Sequence, residues 1–306
     1  MQAHRRDKQV RQRAPTPVDA DAPPRQSTRP PQELLFDPVL VRKVERALRP
    51  ILRHYFRGEV RGLERIPSRQ TIIIANHDGG MLPVDGMLFG AEWHRLHACQ
   101  RPLHILVHDM VMALFGPWRN GLRRLGCVLA DRQNLDAVLD AGHSVLIYPG
   151  GSRETFRSFF ERKTITLGGR TGFVRHALRR RVPITPVVSV GAHETFFVLW
   201  RGAWLADRLG ITRRFRADVF PIVAGLPFGI WLGAGIPHLP LPAKITMQVL
   251  PPIDLHAEVT AQLGREPCAA ELSHPELLRM CFERVRSAMQ RELDRLYAER
   301  KFPILG

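Results

Sequence analysis

Two short blocks of this chain carry residue types able to do acid–base or anion chemistry, and each follows an apolar run. The first is Asn76-His77-Asp78-Gly79-Gly80-Met81-Leu82-Pro83-Val84-Asp85. A histidine at a strand end, beside glycines that keep the backbone open, is placed to take a proton from an incoming hydroxyl. A nearby carboxylate can hold the imidazole in one tautomer and stabilise its charged form. Asp78 and Asp85 both qualify. Adjacent side chains diverge, so Asp85 is the partner if the chain folds back at Gly79-Gly80. A strand-end histidine with a purely structural role has the same local signature. The second block is Tyr148-Pro149-Gly150-Gly151-Ser152-Arg153-Glu154. Here Gly150 and Gly151 let the backbone approach a ligand, and Arg153 could grip a phosphate or a carboxylate. A plain strand-to-loop turn is the other reading.

Two weaker blocks accompany these. Arg132 closes Gly126-Cys127-Val128-Leu129-Ala130-Asp131-Arg132, and two prolines flank a short apolar run in Val182-Pro183-Ile184-Thr185-Pro186. Several familiar sites are absent. A serine-hydrolase elbow needs glycine where Glu154 stands. His193-Glu194 lacks the second histidine of a zinc-protease motif, because Phe197 occupies its place. The four cysteines are too scattered for a zinc site or a disulfide scaffold, which favours a reducing compartment. Neither a phosphate loop nor a dinucleotide fingerprint occurs.

The elements that must position these blocks alternate. Thr71–Ala75, Leu103–Val107, Val128–Ala130, Ser144–Tyr148 and Ile184–Val190 read as buried strands, and Lys244–Val249 as one more. Helical patterns fall at Val84–His94, Arg132–Ala141 and Gly172–Arg180. The expected fold is α/β: a mixed, mainly parallel sheet flanked by helices in a single domain, with an N-terminal amphipathic helix. Asp37-Pro38 supplies an N-cap and first-turn proline for that helix. Leu40, Val44, Leu48, Ile51 and Tyr55 are expected on one face, and Arg42, Arg46, Arg49, Arg53 and Arg57 on another. Such a helix suits a membrane interface, and equally a surface helix packed on the core. Ser273 to Glu276 forms a capping box that opens a long closing helix to about Arg300. Val219 to Ala243 contains no charged side chain. Its prolines argue against a membrane-spanning helix and for a segment dipping into one leaflet, with Trp231 at the interface. A buried apolar loop is the competing reading. The expected organisation is a disordered basic tail over residues 1–33, the amphipathic helix over 34–58 and one domain over 59–306.

With 306 residues and 44% hydrophobic content the chain can bury a sizeable core, and 45 basic residues against 29 acidic give a formal charge of +16. Such an excess fits nucleic acid or an anionic membrane surface. No nucleic-acid-binding module is present, and basic residues do not interleave with aromatics. The membrane is therefore the expected partner.

In order and spacing the four blocks together resemble the glycerolipid acyltransferase superfamily, which includes bacterial lysophosphatidate acyltransferases. That family carries an Asn-His…Asp block, a G-x-x-x-x-x-R block, a strand ending in F-P-E-G-T-R-S and a V-P-x-x-P block. Two departures stand out. Seven residues separate His77 from Asp85 where the family usually has four, and the glutamate of F-P-E-G is Gly150 here, with Glu154 further on. The pattern from Pro149 to Glu154, followed by Gly172-Phe173-Val174 and Glu194-Thr195-Phe196, resembles the neutral-lipid branch, which includes the type 2 diacylglycerol acyltransferases. The resemblance implies His77 as general base and Asp85 as its orienting partner. It implies a binding role for Asn76, Arg132, Gly150, Gly151, Ser152, Arg153 and Glu154. The implied donor is acyl-CoA or acyl carrier protein, acting as co-substrate with no further cofactor. The implied acceptor is a glycerolipid hydroxyl, as in lysophosphatidate, with mono- or diacylglycerol, or lipid binding without catalysis, as alternatives. The implied setting is peripheral or monotopic, at the cytoplasmic face of the cell membrane.

Overall fold

A computed structural model describes residues 31–77, 82–208, 220–225, 229–233 and 239–302. Most of the basic tail, Asp78 and the Gly79-Gly80 turn lie outside the described residues. Ten strands are described: β1 (Glu59–Arg61), β2 (Ile72–Ala75), β3 (Leu103–Val107), β4 (Cys127–Leu129), β5 (Ser144–Ile147), β6 (Ile184–Val190), β7 (Phe197–Trp200), β8 (Ile222–Gly225), β9 (Gly229–Leu232) and β10 (Thr246–Val249). Seven form one sheet in the order β1-β10-β6-β2-β5-β3-β4. β6, β2, β5, β3 and β4 run parallel, whereas β10 pairs antiparallel with β6 and carries β1 beside it. The expected mixed, mainly parallel sheet is therefore present.

β2 shows why these strands are unbroken apolar runs. Both of its faces are covered, so alternation with polar residues would bury unpaired groups. Ile72 and Ile74 join the core under α5 (Arg132–Asp140), α7 (Gly172–Arg180) and the closing helix Pro275–Glu299. Ile73 and Ala75 point the other way, into the core under α2 (Val84–Leu96). Short helices α3 (Asp109–Leu114), α4 (Arg119–Arg124) and α6 (Ser152–Thr155) complete the connections between the parallel strands.

Helix α1 (Pro38–Pro50) begins as expected, because the Asp37 carboxylate accepts from the Val39 and Leu40 N–H groups at 2.9 and 3.0 Å. Its apolar stripe departs from the expectation. Ile51 is 51% exposed and Tyr55 is also on the surface, while Leu52 and Phe56 are buried instead. Residues Ile51–Tyr55 form a π-turn. The wider turn advances the buried face by one residue. Val41 and Glu45 complete that face, with Arg49 paired to Glu45 at 2.6 Å. The closing helix starts at Pro275 as expected, but not through a capping box. His274 occupies the cap position, and the Ser273 hydroxyl donates to the Ala269 carbonyl at 2.8 Å.

The uncharged stretch enters a second, three-stranded sheet in the order β7-β8-β9. Trp231 does not stand at a free interface. Its ring packs inward, with its centroid 6.2 Å from that of Phe196. No helix among the described residues is long and apolar enough to cross a membrane.

Buried histidines give the fold a sharp acid limit. On β3, His104 is fully buried, with Nε2 at 3.0 Å from His143 Nδ1 and Nδ1 at 3.2 Å from the Gly126 carbonyl. On α2, His94 is also buried. Burial, then neighbouring histidines, pushes both imidazoles down to about 4. In the unfolded chain they take up protons below about pH 6.5. The unfolded state thus binds more protons between pH 6.5 and 4, so stability is full above that window and falls as pH drops through it. The loss should reach on the order of 3 kcal/mol per histidine. Urea midpoints measured from pH 7.5 down to pH 5 check this. A midpoint that stays constant would contradict it.

Candidate functional site

The site forms where the parallel strands end. Past Ala75, the buried Asn76 amide ties β2 to its neighbour: its Oδ1 accepts from Ser189 N at 2.8 Å and its Nδ2 donates to Ser189 O at 3.0 Å. Asn76 therefore clamps β2 to β6. The clamp sets the direction in which His77 leaves the strand.

His77 and Asp85 come together despite their separation in sequence. Asp85 sits in the first turn of α2, fully buried, and its Oδ2 lies 3.7 Å from His77 Nδ1. The distance is that of an ion pair and longer than a good hydrogen bond. Such contacts commonly tighten only when substrate is bound. The other carboxylate oxygen accepts from Gly86 N at 2.8 Å. A negative charge in the first helical turn is favoured by the helix dipole. Nδ1 is the ring nitrogen turned to the carboxylate. The His77 side chain keeps 16% exposure, so solvent or substrate reaches it.

Glu154 has a role that reading along the chain does not show. Its side chain is almost fully buried. Oε1 accepts from Leu167 N at 2.7 Å, Thr166 Oγ1 at 2.9 Å and Thr166 N at 3.3 Å. Oε2 accepts from the backbone N–H of His77 at 3.3 Å. The buried Arg157 guanidinium approaches Oε1 at 3.3 Å. Glu154, expected among the binding residues, is thus engaged with protein partners. It ties the Thr166-Leu167 loop to the segment that carries His77.

Gly150 fits this arrangement. A Cβ there would lie 2.1 Å from the Glu154 side-chain carboxyl carbon. The carboxyl group of Glu154 therefore fills the space that a side chain at position 150 would take. The glycine at position 150 and the glutamate four places further on are thus coupled by packing. Gly151 is left-handed (φ +53°), with the Arg170 guanidinium beside it.

Other expected residues are placed differently. Ser152 and Arg153 belong to α6, but their side chains lie outside the described residues. Arg132 opens α5 and lines a groove of about 280 Å³ with Asp136, Arg175, His176, Arg179 and Arg180. That groove includes neither His77 nor Asp85. In it, burial and then the charges of Arg132 and Arg179 hold the Arg175 guanidinium below its ordinary range. The glycine of Arg132's block is structural. At φ +93°, a Cβ on Gly126 would stand 2.5 Å from the Leu103 carbonyl oxygen. The proline block is structural too: the Pro183 carbonyl accepts from Ile72 N at 3.0 Å and aligns β6 with β2.

Two residues near the site escaped the sequence reading. Tyr148 faces the His77 ring, with centroids 4.5 Å apart and planes tilted by 39°. Arg170 donates to the Pro149 carbonyl at 3.2 Å beside Gly151. Tyr148 stood in a block already singled out, so its place after a strand was an available signal. Nothing local marks Arg170.

Residues 57–190 match the family described as Acyltransferase. A protein of Mycobacterium leprae with no assigned function is 30% identical over 279 residues, spanning 90% of this chain and 70% of its own length. The DGAT1/2-independent enzyme synthesizing storage lipids of Bos taurus is 29% identical over 208 residues, which are 63% of this chain and 55% of that protein. The chain thus spans about half of that relative. The crystal structure of the 1-acyl-sn-glycerophosphate (LPA) acyltransferase PlsC from Thermotoga maritima aligns with a TM-score of 0.44 and 17% identity, over 84% of this chain and 79% of its own.

Proposed function

The chain belongs to the acyltransferase family of glycerolipid enzymes, and from that premise we propose that it moves a fatty acyl group from a thioester donor, acyl-CoA or acyl carrier protein, to a hydroxyl of a glycerolipid such as lysophosphatidate at a membrane surface. The observation that carries this reading is the pair of His77, partly exposed, and Asp85, fully buried, at the end of β2. His77 Nε2 takes the proton of the acceptor hydroxyl. Asp85 stabilises the imidazolium that results. The acceptor oxygen attacks the thioester carbonyl, the C–S bond breaks, and the thiolate takes the proton back from His77. No acyl-enzyme is needed. Arg153 and Arg170, at or beside the Gly150-Gly151 turn, are the cations offered to an acceptor phosphate.

A second reading has a specific observation behind it: the storage-lipid relatives suggest a neutral mono- or diacylglycerol acceptor. A competition assay with radiolabelled acyl-CoA separates the two. For a phosphorylated acceptor, label should pass to lysophosphatidate in preference to diacylglycerol, and Arg153→Ala should raise its KM with little change in kcat. Label passing to neutral glycerides, with no response to Arg153→Ala, would establish the second reading. Hydrolysis of the thioester without any ester product would remove both.

A further inference from the structure

The three-stranded sheet breaks the pattern of sheets that meet water. An antiparallel sheet with one covered face should alternate apolar and polar residues. The covered face is apolar as required: Val198, Val223 and Trp231 lie opposite one another in register and pack on Phe156 and Phe196. The opposite face is apolar as well. Trp200, Ile222 and Leu232 form one cross-strand row, and Phe197, Ala224 and Ile230 form another. Ile230 is 69% exposed, Leu232 61% and Trp200 46%. Beside this face, Trp204 projects from the short helix after β7 and is also exposed. A patch of this kind marks an interaction surface.

The charges around it decide the occupant. Beside the patch, residues 199–208 hold Arg201 and Arg208 against one aspartate, Asp207. Arg208 lies over the Trp204 ring at 5.6 Å. A second copy of the chain docking through the same patch would bring Arg208 and Arg201 toward their own counterparts, which is repulsive. Apolar side chains flanked by tryptophan and arginine suit an anionic bilayer: the rings sit at the headgroup level and the cations meet phosphates. We propose that the outer face of the β7-β8-β9 sheet docks on an anionic lipid surface. This deepens the membrane part of the proposed function and rests on it. The sheet is joined to the site: Ser158, four residues past Glu154, donates to the Leu199 carbonyl at 3.4 Å, and Phe156 packs beneath it. The sheet thus packs on the segment that follows Glu154.

The test is co-sedimentation of the full chain with vesicles of phosphatidylcholine alone or mixed with phosphatidylglycerol. Wild type should partition onto the mixed vesicles. The double variant Ile230→Asp, Leu232→Asp should bind them roughly tenfold or more weakly, from the lost burial of two large apolar side chains. Its unfolding midpoint should not move, because both residues are exposed. Unchanged partitioning of a folded double variant would overturn the proposal. So would a wild-type dimer that the variant abolishes. Should the double variant not fold, brominated lipids serve as the second probe: they should quench wild-type tryptophan fluorescence, and less so in Trp200→Phe, Trp204→Phe. Equal quenching in both proteins would also overturn it. His77→Ala separates the two claims, since it should bind vesicles like wild type whether or not the chain transfers acyl groups.

Discussion

Replacing His77 with alanine should lower kcat for acyl transfer by roughly 10²–10⁴, the usual worth of a positioned general base. That corresponds to about 3–5 kcal/mol of barrier. The loss should fall on kcat and kcat/KM alike, since the proton is taken in the transition state and not on binding. The fold should survive, because His77 follows the strand and its side chain is partly exposed. Asp85→Asn should also slow the reaction while leaving acceptor KM nearly unchanged, because Asp85 acts through the imidazole. A His77→Ala protein that turns over within a few-fold of wild type would end the general-base assignment.

The second large effect belongs to Glu154. Glu154→Ala should destabilise the fold by about 3–5 kcal/mol, the usual cost of stripping one partner from a buried ion pair. Arg157 would be left buried without its carboxylate, and Thr166, Leu167 and His77 would lose an acceptor. Glu154→Gln keeps the shape and one acceptor oxygen, so it should lose less. Denaturant midpoints for the two variants check the stability claim. Turnover gives a second readout: loosening the His77 backbone should lower kcat in Glu154→Gln more than it raises KM. A substrate-binding glutamate would do the reverse, with KM rising and stability unmoved.

How much of this was legible in the sequence depended on how far apart the interacting residues lie. The central parallel strands were plain, because a strand covered on both faces must be apolar throughout, as Ile72, Ile73 and Ile74 are. The helix start at Asp37-Pro38 was plain, because a cap is a contact between near neighbours. The register of its apolar stripe failed beyond Leu48, since a π-turn leaves no mark in the hydrophobic period. Strand β1 was hidden, because Glu59-Val60-Arg61 carries two charges that pair with each other at the sheet edge. The β7-β8-β9 sheet was hidden for the opposite reason: with apolar residues on both faces, it has no alternation to read.

The site divides in the same way. The residue types His77 and Asp85 pointed to acid–base work, and the glycines between them to a chain reversal. The contacts of Glu154 with Thr166 and Leu167, twelve and thirteen residues on, and its carboxyl over Gly150 could not be read along the chain. Arg132 stood in a weaker block than Arg153, and it lines a groove between α5 and α7 that does not include His77 or Asp85.

The most direct test of the central claim follows both products of one reaction. Purified wild type and His77→Ala are incubated with radiolabelled acyl-CoA and lysophosphatidate, and free thiol and new lipid ester are measured together. Wild type should release one CoA for each ester formed, and His77→Ala should lose both products in parallel. Ester formation by His77→Ala at the wild-type rate, or thiol release by wild type with no ester formed, would contradict the account.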